Sequence, residues 1–152
     1  MTLWIDALLA YLHFVSIFVL FAFLAVETMM IRRPLDAATI RLLGRMDLWY
    51  FGAAIMVLVT GFLRLVFGAK GPDFYLSAWP IYAKVGLFLL VGIISVTPTL
   101  TFIRWRRMLD HDAAWQVPET EQRATRRLVM IEVHLAALIS IFAVIMSRGV
   151  GH

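Results

Sequence analysis

The sequence predicts an all-α integral membrane protein, a four-helix bundle with its N and C termini outside, and three observations carry that prediction. Of the 152 residues, 62% are hydrophobic and only 16% are charged, too few to surface a water-soluble domain. The apolar residues gather into four runs, roughly Leu3–Ile31, Leu48–Phe67, Ile81–Ile103 and Leu128–Ser147. At about 1.5 Å of rise per residue, each run reaches across a hydrocarbon core of about 30 Å. Twelve of the fourteen basic residues are arginine, and ten of these lie between runs one and two or between runs three and four. Loops rich in arginine stay cytoplasmic, so both termini and the 68–80 loop are expected to face outward across a bacterial cytoplasmic (inner) membrane.

The first run lacks the basic leader and small-residue cleavage site of a signal peptide, and it is too long for one, so it reads as a retained helix. Pro34 closes it. Asp36 is placed to cap a short amphipathic lead-in, AATIRLLGRM, with Ile40, Leu43 and Met46 on one side. Gly68, Gly71 and Pro72 break the chain after the second run, and Phe74, Tyr75, Trp79 and Tyr82 resemble an interfacial aromatic belt ahead of the third. Pro98 frees a carbonyl one turn back in the third helix, for which neighbouring Ser and Thr hydroxyls are the available partners. Pro118, Glu119 and Glu121 suit a helix start, because proline is tolerated in the first turn and carboxylates favour the positive end of the dipole. With short connections and no repeat, residues 1–152 read as a single membrane domain.

Ionisable residues inside hydrocarbon are costly and by default mark a site. Here the spans hold His13 and Glu27, Arg64, Lys84, Glu132 and His134. Asp6, His13 and Glu27 are spaced by seven and fourteen, which puts them on one face of the first helix. Lys84, Val91, Ser95, Pro98 and Phe102 make a comparable stripe on the third. Glu132 and His134 stand two residues apart and point in nearly opposite directions, so only one of them faces the bundle centre. Glu132 is placed inside, on the side of the small Ala136 and Ala143, with Arg104 or a hydroxyl of the SVTPT segment as its expected partner; His134 lies among Ile131, Leu138, Ile141 and Ile145. Depth then separates an outer set, His13, Arg64 and Lys84, from a cytoplasmic-side set, Glu27, Asp47, Glu132 and Arg104.

Each of these residues has two readings. A neutral imidazole such as His13 can ligate haem iron while Arg64 and Lys84 offset porphyrin propionates, or it can simply hydrogen-bond between helices. A His13–His134 pair is disfavoured, since their depths differ by about 10 Å on the same rise. Arg64 and Lys84 either snorkel to the surface or hold an anion. Glu132 and Glu27 suit proton transfer or a structural pair. Asp110, His111 and Asp112 are too close together to wrap one ion and read as a solvated turn, and His152 is terminal. The absence of cysteine excludes disulfides and thiolate chemistry. Arginine confined to helix ends argues for topology and against a nucleic-acid face. There is no Gly-rich phosphate loop, Ser/His/Asp arrangement or zinc motif.

Over nearly its whole length the chain resembles a family of small uncharacterised bacterial membrane proteins. The residues that carry the likeness are Glu27 followed by RRP, Asp47 and Tyr50, TGFLR ending at Arg64, KGPDFY from Lys70, Lys84, SVTPT from Ser95, Phe102 and Trp105, Glu132, and the tail MSRGVG. That family is more remotely similar to the membrane-embedded protoporphyrinogen IX oxidase of the HemJ type and to copper-resistance D-like membrane proteins. The oxidase carries a histidine early in its first helix, a lysine opening a later one and a glutamate opening the last, positions matched by His13, Lys84 and Glu132. It differs in having further arginine, tyrosine and histidine residues where this chain reads VETMMIRRP. The resemblance implies a membrane protein binding haem b or a porphyrin, for electron transfer or porphyrin oxidation. His13 would be the iron ligand, Lys84 a second ligand or propionate partner, Arg64 a propionate partner, and Glu132 and Glu27 the proton-handling groups. A homo-oligomer or a membrane redox partner fits that role. The alternative from another class is a non-enzymatic membrane module, either a small transporter subunit or a structural partner of a larger complex, whose buried charges fix helix register.

Overall fold

Backbone groups that cannot reach water must bond within their own segment, and the chain meets that demand with helices alone among the described residues. The computed structural model describes residues 3–68, 71–77 and 79–148. Lys70, the tail beyond Arg148 with His152, and the Phe74 and Tyr75 side chains of the aromatic belt lie outside the described residues. The helices are α1 (Leu3–Met30), α2 (Ala37–Phe67), α3 (Gly71–Ser77), α4 (Trp79–His111) and α5 (Glu119–Ser147). All but α3 are long and apolar enough to cross a membrane, so the protein is a multi-pass four-helix membrane bundle.

Three helices run past the apolar segments that announce them. The AATIRLLGRM stretch is not a separate lead-in but the first turns of α2, α4 continues to His111, and α5 begins at Glu119 rather than Leu128. The 68–80 connection, expected to be a loop, contains α3. Hydropathy marks where a helix meets lipid, whereas caps decide where it stops. Asp36 accepts the Thr39 amide at 2.7 Å, which starts α2 and, with the Thr39 side chain, holds the exposed Asp36 carboxyl below the usual range. At the other end of the same connection, Gln122 Nε2 donates to the carbonyls of Ile31 and Arg33, at 2.9 and 3.0 Å, and so satisfies the end of α1 from α5.

Packing is heaviest between α1 and α2 and between α4 and α5; α2 also meets α4 and α1 meets α5, while α1 and α4 do not pack. The order around the bundle is therefore α1, α2, α4, α5, with α1 opposite α4 and α2 opposite α5. At the α2–α4 crossing Gly44 allows a close approach: a Cβ there would lie 2.8 Å from Cδ of Arg106. The core gathers Leu20, Leu24 and Ile31 from α1, Leu43, Tyr50 and Ala53 from α2, Phe102 and Trp105 from α4, and Val129 and Ala136 from α5. Toward the arginine-rich end, one turn from the acidic residues of the core, Ile31, Leu43, Trp105 and Val129 form a layer with no more than 1% exposure.

Hydroxyls of the spans turn back on their own helices, as expected where water is scarce: Ser16 bonds Leu12, Thr28 bonds Leu24 and Thr125 bonds Glu121, each to a carbonyl one turn earlier. Around Pro98 the expectation fails. Ser95 donates to Gly92, Thr99 to Asp47 and Thr101 to Thr97, so these three hydroxyls are committed elsewhere than to the carbonyl that Pro98 frees.

Candidate functional site

Two polar clusters occupy the bundle, one toward each end. The cluster away from the arginine loops centres on His13 of α1. Its Nδ1 lies 2.9 Å from Thr60 Oγ1 on α2, and the Thr60 hydroxyl in turn lies 2.6 Å from the Met56 carbonyl. A carbonyl only accepts, so the single Thr60 proton is spent on Met56, and Thr60 can only accept from His13. In its neutral form the imidazole therefore carries its proton on Nδ1, which leaves Nε2 as the unprotonated nitrogen. The Nδ1–Cε1 edge faces α2, where Gly61 makes room: a Cβ at that position would stand 3.2 Å from His13 Cε1. Arg64 and Lys84 both act electrostatically on the ring and on each other, which gathers three nitrogen bases from α1, α2 and α4. The Arg64 guanidinium sits 5.8 Å from the centre of the Phe14 ring, a cation–π contact, and its Nε is buried without a hydrogen-bond partner.

The second cluster is acidic. Glu27 of α1, Asp47 of α2 and Glu132 of α5 are exposed by only 2%, 6% and 1%. Each lies within electrostatic reach of the other two. Asp47 Oδ1 accepts from Thr99 of α4 at 2.9 Å. Tyr50, buried on α2, spans the diagonal and hydrogen-bonds the Glu132 carboxyl. All four spanning helices thus contribute a polar group at one level. Oε1 of Glu27 and Oε1 of Glu132 remain buried without a partner.

Glu132 faces inward, but not toward the partner expected for it. Arg104 instead reaches Glu121 at 2.7 Å, on the exposed rim, where Trp105 Nε1 also donates to the same carboxylate. The reason is geometric: α5 starts nine residues before Leu128, which brings Glu121 to the level of Arg104. The SVTPT hydroxyl that enters the cluster, Thr99, goes to Asp47 and not to Glu132. His134 is exposed and bonds the Met130 carbonyl of its own helix, so it does not meet His13. Asp110 pairs with Arg41 at 2.9 Å, and no group of three metal-ligating side chains occurs among the described residues. Two crevices, one lined by Phe21, Leu24 and Val133 and one beside Pro34 and Trp115, are not lined by His13, Arg64 or Lys84.

Thr60 escapes a reading by charge, because one threonine in an apolar helix carries none. Asp47 had a signal in phase: the buried residues of α2, Ile40, Leu43, Asp47, Tyr50, Ala53 and Thr60, recur at helical spacing.

The family described as "Predicted membrane protein (DUF2214)" matches residues 5–151. The chain belongs to that family. Glu27, Asp47, Tyr50, Phe102, Trp105 and Glu132, which carry the sequence resemblance, are all buried in the bundle. No curated protein and no solved structure matches the chain. These findings thus add nothing to the likeness to copper-resistance D-like proteins or to the HemJ-type oxidase, which for the oxidase rests on His13, Lys84 and Glu132 alone.

Proposed function

We propose that this protein is a bacterial cytoplasmic-membrane module that binds haem b or a porphyrin near the end away from its arginine loops and serves electron transfer or porphyrin oxidation. The observation that supports it is the state of His13. A ligating histidine needs its second nitrogen held by a hydrogen bond, which fixes the tautomer and orients the ring. The Thr60–Met56 relay does this for His13 and leaves Nε2 as the free base. The donor set fits the group: an oriented neutral imidazole, with Arg64 and Lys84 to neutralise propionates, and a buried Arg64 Nε that has no other hydrogen-bond partner. In place of a propionate partner, Lys84 is the alternative candidate for a second ligand, because His134 is exposed on α5. A bound haem supplies one-electron exchange. Glu27 and Glu132 hold protons for the reaction, and a second copy or another membrane redox protein takes the electron.

The experiment is an absorption spectrum of detergent-purified protein from haem-replete cells. A Soret band that shifts with dithionite is expected, abolished or displaced in His13→Ala and retained in His134→Ala. Absence of the band returns the protein to the other class, a non-enzymatic transporter subunit or structural partner. That second reading has its own support in the Asp47–Thr99 and Tyr50–Glu132 bonds, which tie neighbouring and opposite helices in register.

A further inference from the structure

We infer that Glu27, Asp47 and Glu132 together form a proton-binding site that holds at least one exchangeable proton in the membrane core. The argument begins with what faces the cluster. From α1 comes Glu27, from α2 Asp47 and the Tyr50 hydroxyl, from α4 the Thr99 hydroxyl, and from α5 Glu132. Among the described residues no basic side chain acts on any of the three carboxyls, and no salt bridge reaches them. Arg104, the partner expected for Glu132, is turned to Glu121 on the rim. Three carboxylates at less than a tenth of full exposure, in a medium that screens poorly, cannot all be ionised beside one another without a counter-charge.

The unpartnered atoms identify the counter-charge. Oε1 of Glu27 and Oε1 of Glu132 are both buried with no donor to meet them. A carboxylate can only accept, so two such oxygens facing a third acid leave acceptors without donors. One proton changes this, because the protonated acid becomes a donor and its neighbour accepts. The proton is taken from water and returned to water or passed to the next carboxylate, with no bond to carbon made or broken and no electron moved. A metal ion would be the other positive occupant, but no three ligating groups of the described residues are disposed to hold one. The site does not rest on haem at His13, since the two clusters share no residue.

The test is difference infrared spectroscopy on the full chain in phosphatidylcholine–phosphatidylglycerol vesicles, titrated with pH. A carbonyl-stretch band of protonated carboxylic acid is expected at neutral pH. It should shift on exchange into deuterated water and be lost or displaced in Glu27→Gln and in Glu132→Gln. If no such band appears while the protein stays folded, or if the band is unchanged in both variants, the site is not a proton site. A band that disappears at constant pH when sodium or potassium chloride is added would overturn the proposal in favour of an alkali-metal ion. The wild-type band and its deuterium shift decide the matter even if a variant fails to fold, and a missing Soret band leaves this result untouched.

Discussion

The two polar clusters of the bundle differ in sign, depth and freedom. His13 and Glu27 are fourteen residues apart on α1, about 21 Å at roughly 1.5 Å per residue. The His13 cluster is basic and half-buried, built partly from Arg64 and Lys84, whose long stems can carry their charge toward the surface. The Glu27 cluster is acidic, closed, and built from short side chains that have nowhere to go. Cations near a helix end therefore read as adaptable, whereas buried carboxyls with orphaned oxygens are committed to a partner, and this makes the acidic cluster the more demanding of the two.

Topology gives the all-or-none test of which cluster lies at which face. Reporter fusions after Ala113 should read cytoplasmic and fusions after Asp73 external; the reverse pattern would exchange the two clusters between compartments. The next largest effect comes from Gly61→Val, which forces side-chain atoms toward the His13 ring, already only 3.2 Å from where a Cβ would stand. Overpacking of this kind costs about 1–3 kcal/mol, and thermal unfolding in detergent should show it together with loss of any His13-dependent spectrum.

Removing one hydroxyl from each cluster compares them directly. Tyr50→Phe strips the donor from Glu132 and leaves a buried carboxyl bare, a loss of about 1–3 kcal/mol; Thr60→Val removes the acceptor of a half-buried histidine and should cost about 1 kcal/mol. Equal losses in the melting curves would erase the distinction between a closed and an adaptable site. Smallest is the cap outside both clusters. Asp36→Ala should lower the melting temperature slightly at neutral pH. Because the folded carboxyl sits below its unfolded range, the wild-type advantage is present above the unfolded value and fades as pH falls through the folded one. A difference between wild type and variant that persisted in acid would show that Asp36 does not act through its charge.

Much of this arrangement was legible in the sequence. Four apolar runs located the spans, and the two-residue offset of Glu132 and His134 separated an inward from an exposed side chain before any contact was known. What hydropathy could not supply was the length of helix beyond the lipid. Because α5 starts at Glu119, its first turns set Glu121 against Arg104 and remove the partner assigned to Glu132. Nor could phase within one helix reveal bonds between helices: Thr60 to His13, Thr99 to Asp47 and Tyr50 to Glu132 depend on how α1, α2, α4 and α5 are ordered around the axis.

The layer of Ile31, Leu43, Trp105 and Val129 is one of two walls around the acidic cluster. These side chains, with no more than 1% exposure, stand between it and the arginine-rich end, and on α1 Leu24 and Leu20, exposed by 1% and 7%, lie on its other side. A proton held between such walls reaches water only when packed side chains part, so its exchange is timed by the motion of the bundle and not by diffusion.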